Sequence, residues 1–294
     1  METPITVKKK KVSYSQFSNF YKCPRKWFID FILNKKVFED SINTCFGTAI
    51  HEVLQNYIKI LYTVNTEAAD SLDLKKQFQE LFKRELSDKN VKHTEDEFIG
   101  FVFDGQDILD EFMKPLNRVK HFPSKKYEFI GVEFPITVDI RNQTQFVAYI
   151  DLILKDKETG IYKIYDFKTS TMGWNKWAKE DTSKTSQLLI YKAFYSRVFN
   201  IPLNMIEVEF FILKRKLYEN VEFPQSRIQN FTPDNTKRLI IESVTDFTEF
   251  VDTCFTTTGE YNKESDYFKN PGKNKKHCKF CPHYKTEHCD GKPS

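Results

Sequence analysis

The spacing of apolar and polar positions divides the chain into a mainly helical first part and a strand-rich middle. Ser13 or Ser15 is placed to cap a helix running to about Tyr21, with Phe17, Phe20 and Tyr21 on its buried side. Pro24 interrupts it, and Trp27, Phe28, Phe31 and Ile32 mark a second helical stretch. Ile50, Val53, Leu54, Tyr57, Ile58 and Leu61 recur at helical spacing and predict an amphipathic helix over 47–62. Residues 66–118 are charged and mostly helical in pattern. From 127 the period changes to two. Strands are expected over 127–140, 145–154 and 161–168, then a helix over 183–199 and a strand over 205–214. Thr232-Pro233-Asp234 predicts the start of a last long helix with proline at its first position. Its apolar face would carry Leu239, Ile240, Val244, Phe247 and Val251. The sum is an α/β fold: three antiparallel strands, a helix and a fourth strand, wrapped by helices from both ends. Residues 1–12 read as a disordered basic lead. Residues 13–294 read as one domain, with a helical insert over 66–118 and a core over 127–215.

The central hairpin carries charged residues that an apolar strand does not need. Its strands, QFVAYIDLIL and IYKIYDF, flank a polar turn from Lys155 to Gly160. The turn is expected to set Asp151 opposite Asp166, with Cβ atoms about 4.5–5.5 Å apart. Lys168, two residues on, points to the same side as Asp166. Two carboxylates that close repel unless a cation lies between them. A hard divalent ion, Mg²⁺ or Mn²⁺, fits that requirement and leaves the lysine to hold an attacking water. The plainer alternative is an exposed sheet face on which Asp and Lys meet solvent.

Other candidates also have two readings. Glu133 is a second-metal ligand, a residue that orients one, or a solvent-facing glutamate. His51, at the margin of its helix's apolar face, is a packed core residue or a ligand. Gln187 and Tyr191 share one helix face. They bond a DNA phosphate or hold the lysine, unless Tyr191 is simply core beside Leu188 and Tyr195. Trp174 and Trp177 stack on bases or pack their loop.

Composition narrows the setting. The chain of 294 residues has 28 Phe and 14 Tyr, ample for a packed core. A net charge of +4 is compatible with nucleic acid without requiring it. Lys8 to Lys11 read as a solvated tail. Lys273, Lys275, Lys276 and Lys279 read equally as phosphate contacts or solvated charge. No segment approaches the roughly 18 apolar residues of a membrane span. The N-terminus lacks an apolar signal region, so an intracellular, cytoplasmic protein is expected. The Lys-, Phe- and Asn-rich composition is of the kind that AT-rich genomes, including those of phages, encode. In a reducing compartment the run Cys278-x2-Cys281-x7-Cys289 argues for metal or cluster ligation rather than disulfides. A four-sulfur site suits zinc or [4Fe–4S], and His277, His283 and His288 lie near enough to complete a zinc site instead. Cys45 and Cys254 read as ordinary buried thiols. No G-x-x-x-x-G-K-[ST] loop is present, so any unwinding would need a partner helicase.

The hairpin pattern D-(x14)-D-x-K resembles the core of the PD-(D/E)XK nucleases. Gly47-Thr48-Ala49-Ile50-His51-Glu52-Val53-Leu54 is similar to the upstream helix of their RecB-type branch. Gln187-Leu188-Leu189-Ile190-Tyr191 is similar to its Q-x-x-x-Y helix, and Tyr14-Ser15-Gln16-Phe17 through Cys23-Pro24-Arg25 to its N-terminal element. The C-terminal cysteines match its cysteine cluster. The pattern also resembles those of the iron–sulfur nucleases of CRISPR adaptation and of the nuclease domains of the AddB recombination proteins. One departure is Tyr149, two before Asp151, where the family often has glycine.

The resemblance implies a restriction-endonuclease-like sheet and a helical subdomain stapled at the chain ends by iron and sulfur. Cys23 would be the fourth ligand beside Cys278, Cys281 and Cys289. His51, Asp151, Asp166 and the Phe167 carbonyl would hold the metal, with Lys168 as the catalytic lysine. The implied activity is a DNA exonuclease on single strands or ends, in recombination, repair or phage DNA metabolism. The rival is a non-catalytic or partner-dependent DNA-binding module of a recombination or CRISPR complex, working with a helicase or integrase and stapled by structural zinc.

Overall fold

The computed structural model describes residues 9–37 and 40–293. Its centre is a six-stranded sheet. The strands are β1 (Lys10–Val12), β2 (Tyr127–Asp139), β3 (Thr144–Asp156), β4 (Tyr162–Ser170), β5 (Ile206–Lys214) and β6 (Ile228–Phe231). β2, β3 and β4 run antiparallel, as consecutive hairpins do. β4 and β5 are parallel, because a helix crosses between them. β1 and β4 share one edge of β3. β1 pairs with Thr144–Phe146, and β4 pairs with Leu152–Lys155. Between these two partners the edge of β3 forks open.

Helices cover both sides of the sheet. α1 (Tyr14–Lys22) is capped by Ser13, whose hydroxyl accepts from the Gln16 N–H. Pro24 opens α2 (Pro24–Trp27), which runs into a π turn over Phe28–Ile32. α3 (Ile42–Thr63) begins before the expected 47, because Ser41 and Thr44 cap each other's backbone there. The insert contains α4 (Thr66–Asp70), α5 (Leu74–Asp88), α6 (Glu95–Met113) and α7 (Pro115–His121). α8 (Lys176–Lys179) and α9 (Thr182–Phe199) cross from β4 to β5, and α10 (Lys237–Cys254) closes the helical set. No described helix is long and apolar enough to cross a membrane.

One core packs α3, α5 and α6 on Leu152, Leu154, Phe167 and Phe211 of the sheet. The other packs α1, α9 and α10 on Ile150, Ile153, Ile164 and Phe210. Its far end joins the two ends of the chain. Trp27, fully buried, stacks on Tyr267 at 5.7 Å and meets Phe250 edge-on at 5.8 Å. Truncating a buried aromatic of this size costs about 3–5 kcal/mol. Cys45 and Cys254 are buried free thiols, as expected.

Three expectations need correcting. The basic lead is not wholly structureless: residues 10–12 form β1, Lys9 pairs with Asp139, and the Lys10 ammonium lies 4.1 Å from the Tyr261 ring. Residues 1–8 lie outside the described residues. The last helix starts at Lys237, not at Pro233. Thr236 is its cap, accepting from the Leu239 N–H, while Asp234 Oδ1 turns back to accept from the Thr236 N–H. β6 is additional to the four strands expected in the core. With four residues it is too short to set up a period of two.

Candidate active site

The acidic residues meet through strand register. Leu152↔Tyr165 to Lys155↔Tyr162 centre the hairpin turn between Glu158 and Thr159, the register expected for the hairpin. One more step along the same ladder sets Asp151 against Asp166. On the other side, Val132↔Leu152 and Phe134↔Ile150 set Glu133 against Asp151. Three acids therefore stand in one row across three neighbouring strands. The row is locally distorted. Ile150 joins one core and Leu152 the other, so the simple alternation of β3 breaks at Asp151. Glu133 opposite it has φ +44°, a left-handed conformation that costs a non-glycine residue about 1–3 kcal/mol and recurs at functional sites.

Asp151 Oδ2 accepts from the Phe167 N–H at 2.6 Å. Asp166 is buried, and Lys168 Nζ lies 2.5 Å from its Oδ2. Burial holds the Asp166 carboxyl above the usual carboxylate range despite the lysine. Burial and then the Asp166 charge push Asp151 well above that range. Both carboxylates lack the solvation an anion needs, and a cation placed between them would supply the missing charge.

α3 brings two polar side chains to this row. A Cβ on Gly47 would lie 3.1 Å from Thr169 Oγ1, so glycine there lets the helix approach β4 closely. One turn later His51 stands with its ring 5.9 Å from that of Phe167. Its Nε2 is buried and has no hydrogen-bond partner. Burial, with a further push from the Lys168 charge, lowers its pKa to about 3, so the imidazole is neutral at pH 7. Another turn on, Gln55 is buried; its Nε2 donates to Glu133 Oε1 at 2.7 Å and to the Asp151 carbonyl at 3.2 Å. Sequence reasoning missed Gln55. The available signal was its position four residues after His51, on the same helix face.

α9 closes the other side. Gln187 Oε1 accepts from Lys168 Nζ at 3.1 Å, and Gln187 Nε2 donates to the Tyr191 hydroxyl at 3.0 Å. This chain orients the lysine. Tyr191 is also buried and packs near Phe146, so its core and polar readings hold together. Tyr14 ties α1 to the start of α9 through a hydrogen bond to the Ser183 carbonyl at 3.0 Å. The Trp174 N–H donates to Gln229 on β6, and its ring lies 4.8 Å from Phe210. Trp174 also borders the cleft beside Lys168. Tyr149 exposes its ring at the open edge of β3.

The four cysteines of the predicted staple are drawn together from the two chain ends. Cys23, Cys281 and Cys289 all act electrostatically on the Cys278 thiol, raising its pKa alongside burial. The Asn270 N–H points at Cys23 Sγ at 3.4 Å, and the His283 backbone donates to Cys281. Such N–H···S contacts suit thiolate ligands. The histidines of the zinc alternative are engaged elsewhere: His283 Nε2 with Asp30 at 2.6 Å, His277 Nδ1 with the Asn270 carbonyl at 3.1 Å, and His288 Nε2 with Glu287 at 3.3 Å. Among the described residues no group of three or more His, Cys, Asp and Glu side chains is placed so that it could hold a metal ion.

The model of the PD-(D/E)XK nuclease superfamily matches residues 11–286. The chain belongs to that superfamily. It is a metal-dependent nuclease of a class that generally uses Mg²⁺ or Mn²⁺. The comparison with curated proteins found no match.

Proposed function

We propose that the protein is an exodeoxyribonuclease acting on single-stranded DNA or DNA ends, in recombination, repair or phage DNA metabolism. The observation that carries the reading is the row Glu133–Asp151–Asp166 with Lys168 ion-paired at its end. The donor set fits a divalent cation: two under-solvated carboxylates and a buried imidazole nitrogen without a partner. Asp151, Asp166, His51 and the Phe167 carbonyl would hold it, with Glu133 available for a second ion. Bound there, the cation would supply Lewis acidity toward the scissile phosphate and neutralise charge in the transition state.

The chain's own groups do the rest. Lys168 positions the attacking water and offers positive charge to the phosphate oxygens. Gln187, backed by Tyr191, fixes the lysine. Trp174 and Gln187 line the approach and contact the DNA. Cys23, Cys278, Cys281 and Cys289 would hold a [4Fe–4S] cluster, which would fasten the two chain ends without redox turnover. The protein works in the cytoplasm beside a helicase or integrase that supplies the DNA end.

The test is incubation with end-labelled linear single- and double-stranded DNA and with closed circular DNA, with and without Mn²⁺. Metal-dependent loss of linear single strands, with circles left intact, is expected. Cutting of circles at a comparable rate would overturn the exonuclease assignment, and no cutting under any condition would favour a binding module.

A further inference from the structure

A cleft of about 1140 Å³ runs from Lys168 and Gln187 at the active site to Phe280 and Cys281 in the cysteine segment. That volume exceeds the roughly 300–1,000 Å³ of ordinary small-molecule sites. Six lysines line it: Lys22, Lys26, Lys36, Lys168, Lys184 and Lys276. Only two acids do, and both are already occupied. Asp30 accepts from Asn19 and Lys26 and is paired with His283. Asp181 caps α9 and accepts from Ser183.

Lys26 is held by Asp30 at 2.6 Å. Lys22 on α1, Lys184 on α9 and Lys276 in the C-terminal segment bring three further ammonium groups from distant parts of the chain to one cleft. Like charges so gathered are unfavourable until an anion lies among them. Beside them, Phe280 is 87% exposed, between two of the clustered cysteines. An exposed aromatic at the end of a basic groove matches the way single strands are held, by phosphates along the groove and a base on the ring.

We propose that Lys22, Lys184 and Lys276 form a phosphate-binding subsite for a single-stranded DNA tail, with Phe280 stacking on one of its bases. The inference rests on the nuclease reading and deepens it, because it makes the cysteine segment part of the substrate path. Lys276 and Phe280 reach the cleft only when that segment is folded against α1.

The test is fluorescence anisotropy with a labelled twenty-residue oligothymidylate and the full-length protein, without added divalent cation, across a salt series. For single strands the slope of log affinity against log salt is about −0.7 per phosphate contact. Lys22→Ala combined with Lys276→Ala is expected to weaken binding about tenfold and flatten the slope by about 1.4. Phe280→Ala is expected to weaken it about tenfold with the slope unchanged. Lys276→Gln alone, on the outer segment, gives a milder loss if the double variant folds poorly, and circular dichroism reports the fold. A blunt hairpin duplex should bind more weakly than the single strand. Unchanged affinity and slope in the lysine variants would overturn the subsite. Unchanged binding in Phe280→Ala, or equal binding of the duplex, would overturn the single-strand assignment. These outcomes are separable from failure of the nuclease reading. A protein that binds through the lysine nest but never cuts DNA in Mn²⁺ would lose the enzyme assignment and keep the subsite.

Discussion

The carboxylate row and the cysteine segment are built in opposite ways. The row stands on β2, β3 and β4, which follow one another in the chain, and register alone brings Glu133, Asp151 and Asp166 together. The cysteine segment has little regular structure after α10, and its partners lie some 250 residues upstream. One example is the pairing of His283 with Asp30 across 253 residues. The first region is held rigid by a ladder and can carry strain, as the left-handed Glu133 does. The second has few ladder bonds to hold it, so it depends on long-range side-chain contacts: the Asp30–His283 pair and the Trp27–Tyr267 stack. Chemistry that needs tight placement sits on the sheet, and contacts that tolerate movement sit on the segment.

The sharpest way to break this contrast is at the row. Lys168→Ala is expected to lower the Mn²⁺-dependent cutting rate by about 10³-fold while the melting temperature changes little, because the charge it supplies acts on the transition state. A variant cutting DNA near the wild-type rate would remove the lysine from the mechanism. The cysteine end should respond in stability instead. Cys23→Ala is expected to lose the brown colour and most bound iron, and to lower the melting temperature by about 5–10 °C, since ligation energy is folding energy. Cys45→Ala and Cys254→Ala should keep the colour. Colourless wild-type protein holding one zinc, indifferent to Cys23→Ala, would transfer the site to other ligands.

His51→Ala sharpens the comparison inside the row. Removing the ligand should weaken Mn²⁺ binding about 10–100-fold by calorimetric titration, with a smaller loss of stability. A large stability loss with unchanged titration would make it a core residue. The smallest effect is a gain. The raised carboxyls bind protons more tightly folded than unfolded, so their cost to stability appears as pH rises above the ordinary carboxylate range. Asp166→Asn removes that cost and should raise the metal-free melting temperature at pH 7.5 by about 2–4 °C. His51 acts in the other direction. Its depressed pKa makes stability fall as pH drops from about 6.5 toward about 3. The Asn variant should therefore retain the acid-side loss. A lower melting temperature in Asp166→Asn would mean that the Lys168 pair outweighs the repulsion.

How far the sequence could be read follows the same division. β2 to β5 were legible because each runs for nine residues or more and is rich in β-branched and aromatic residues. The central hairpin was read in its correct register, Asp151 opposite Asp166, although that pairing centres the turn between Glu158 and Thr159 rather than between Lys157 and Glu158. β1 was hidden in a lysine run, since three residues carry no period and its partner lies over 130 residues away. The start of α10 went to Pro233 because proline is a common first helical residue, whereas Thr236 makes the capping bond. Asp151, Asp166 and Lys168 stood out because charge is conspicuous on an apolar strand. Gln55 did not, since a glutamine on a helix signals nothing until Glu133 is placed beside it. Of the lysine nest only Lys276 was flagged, because Lys22, Lys184 and Lys276 come from distant stretches of the chain.

The stack of Trp27 on Tyr267 has a consequence in time rather than in space. Contacts that span most of a chain form late, because the loop they close is long. As the protein is synthesised, α3 and the three central strands can assemble first from neighbouring segments. Trp27 must wait for Phe250 and Tyr267 before its pocket exists. Until then α1 lacks its C-terminal packing, and the wall of the cleft that carries Lys22 stays unfixed. A chain halted before Tyr267 would therefore hold the carboxylate row before the Lys22 wall of the cleft is fixed.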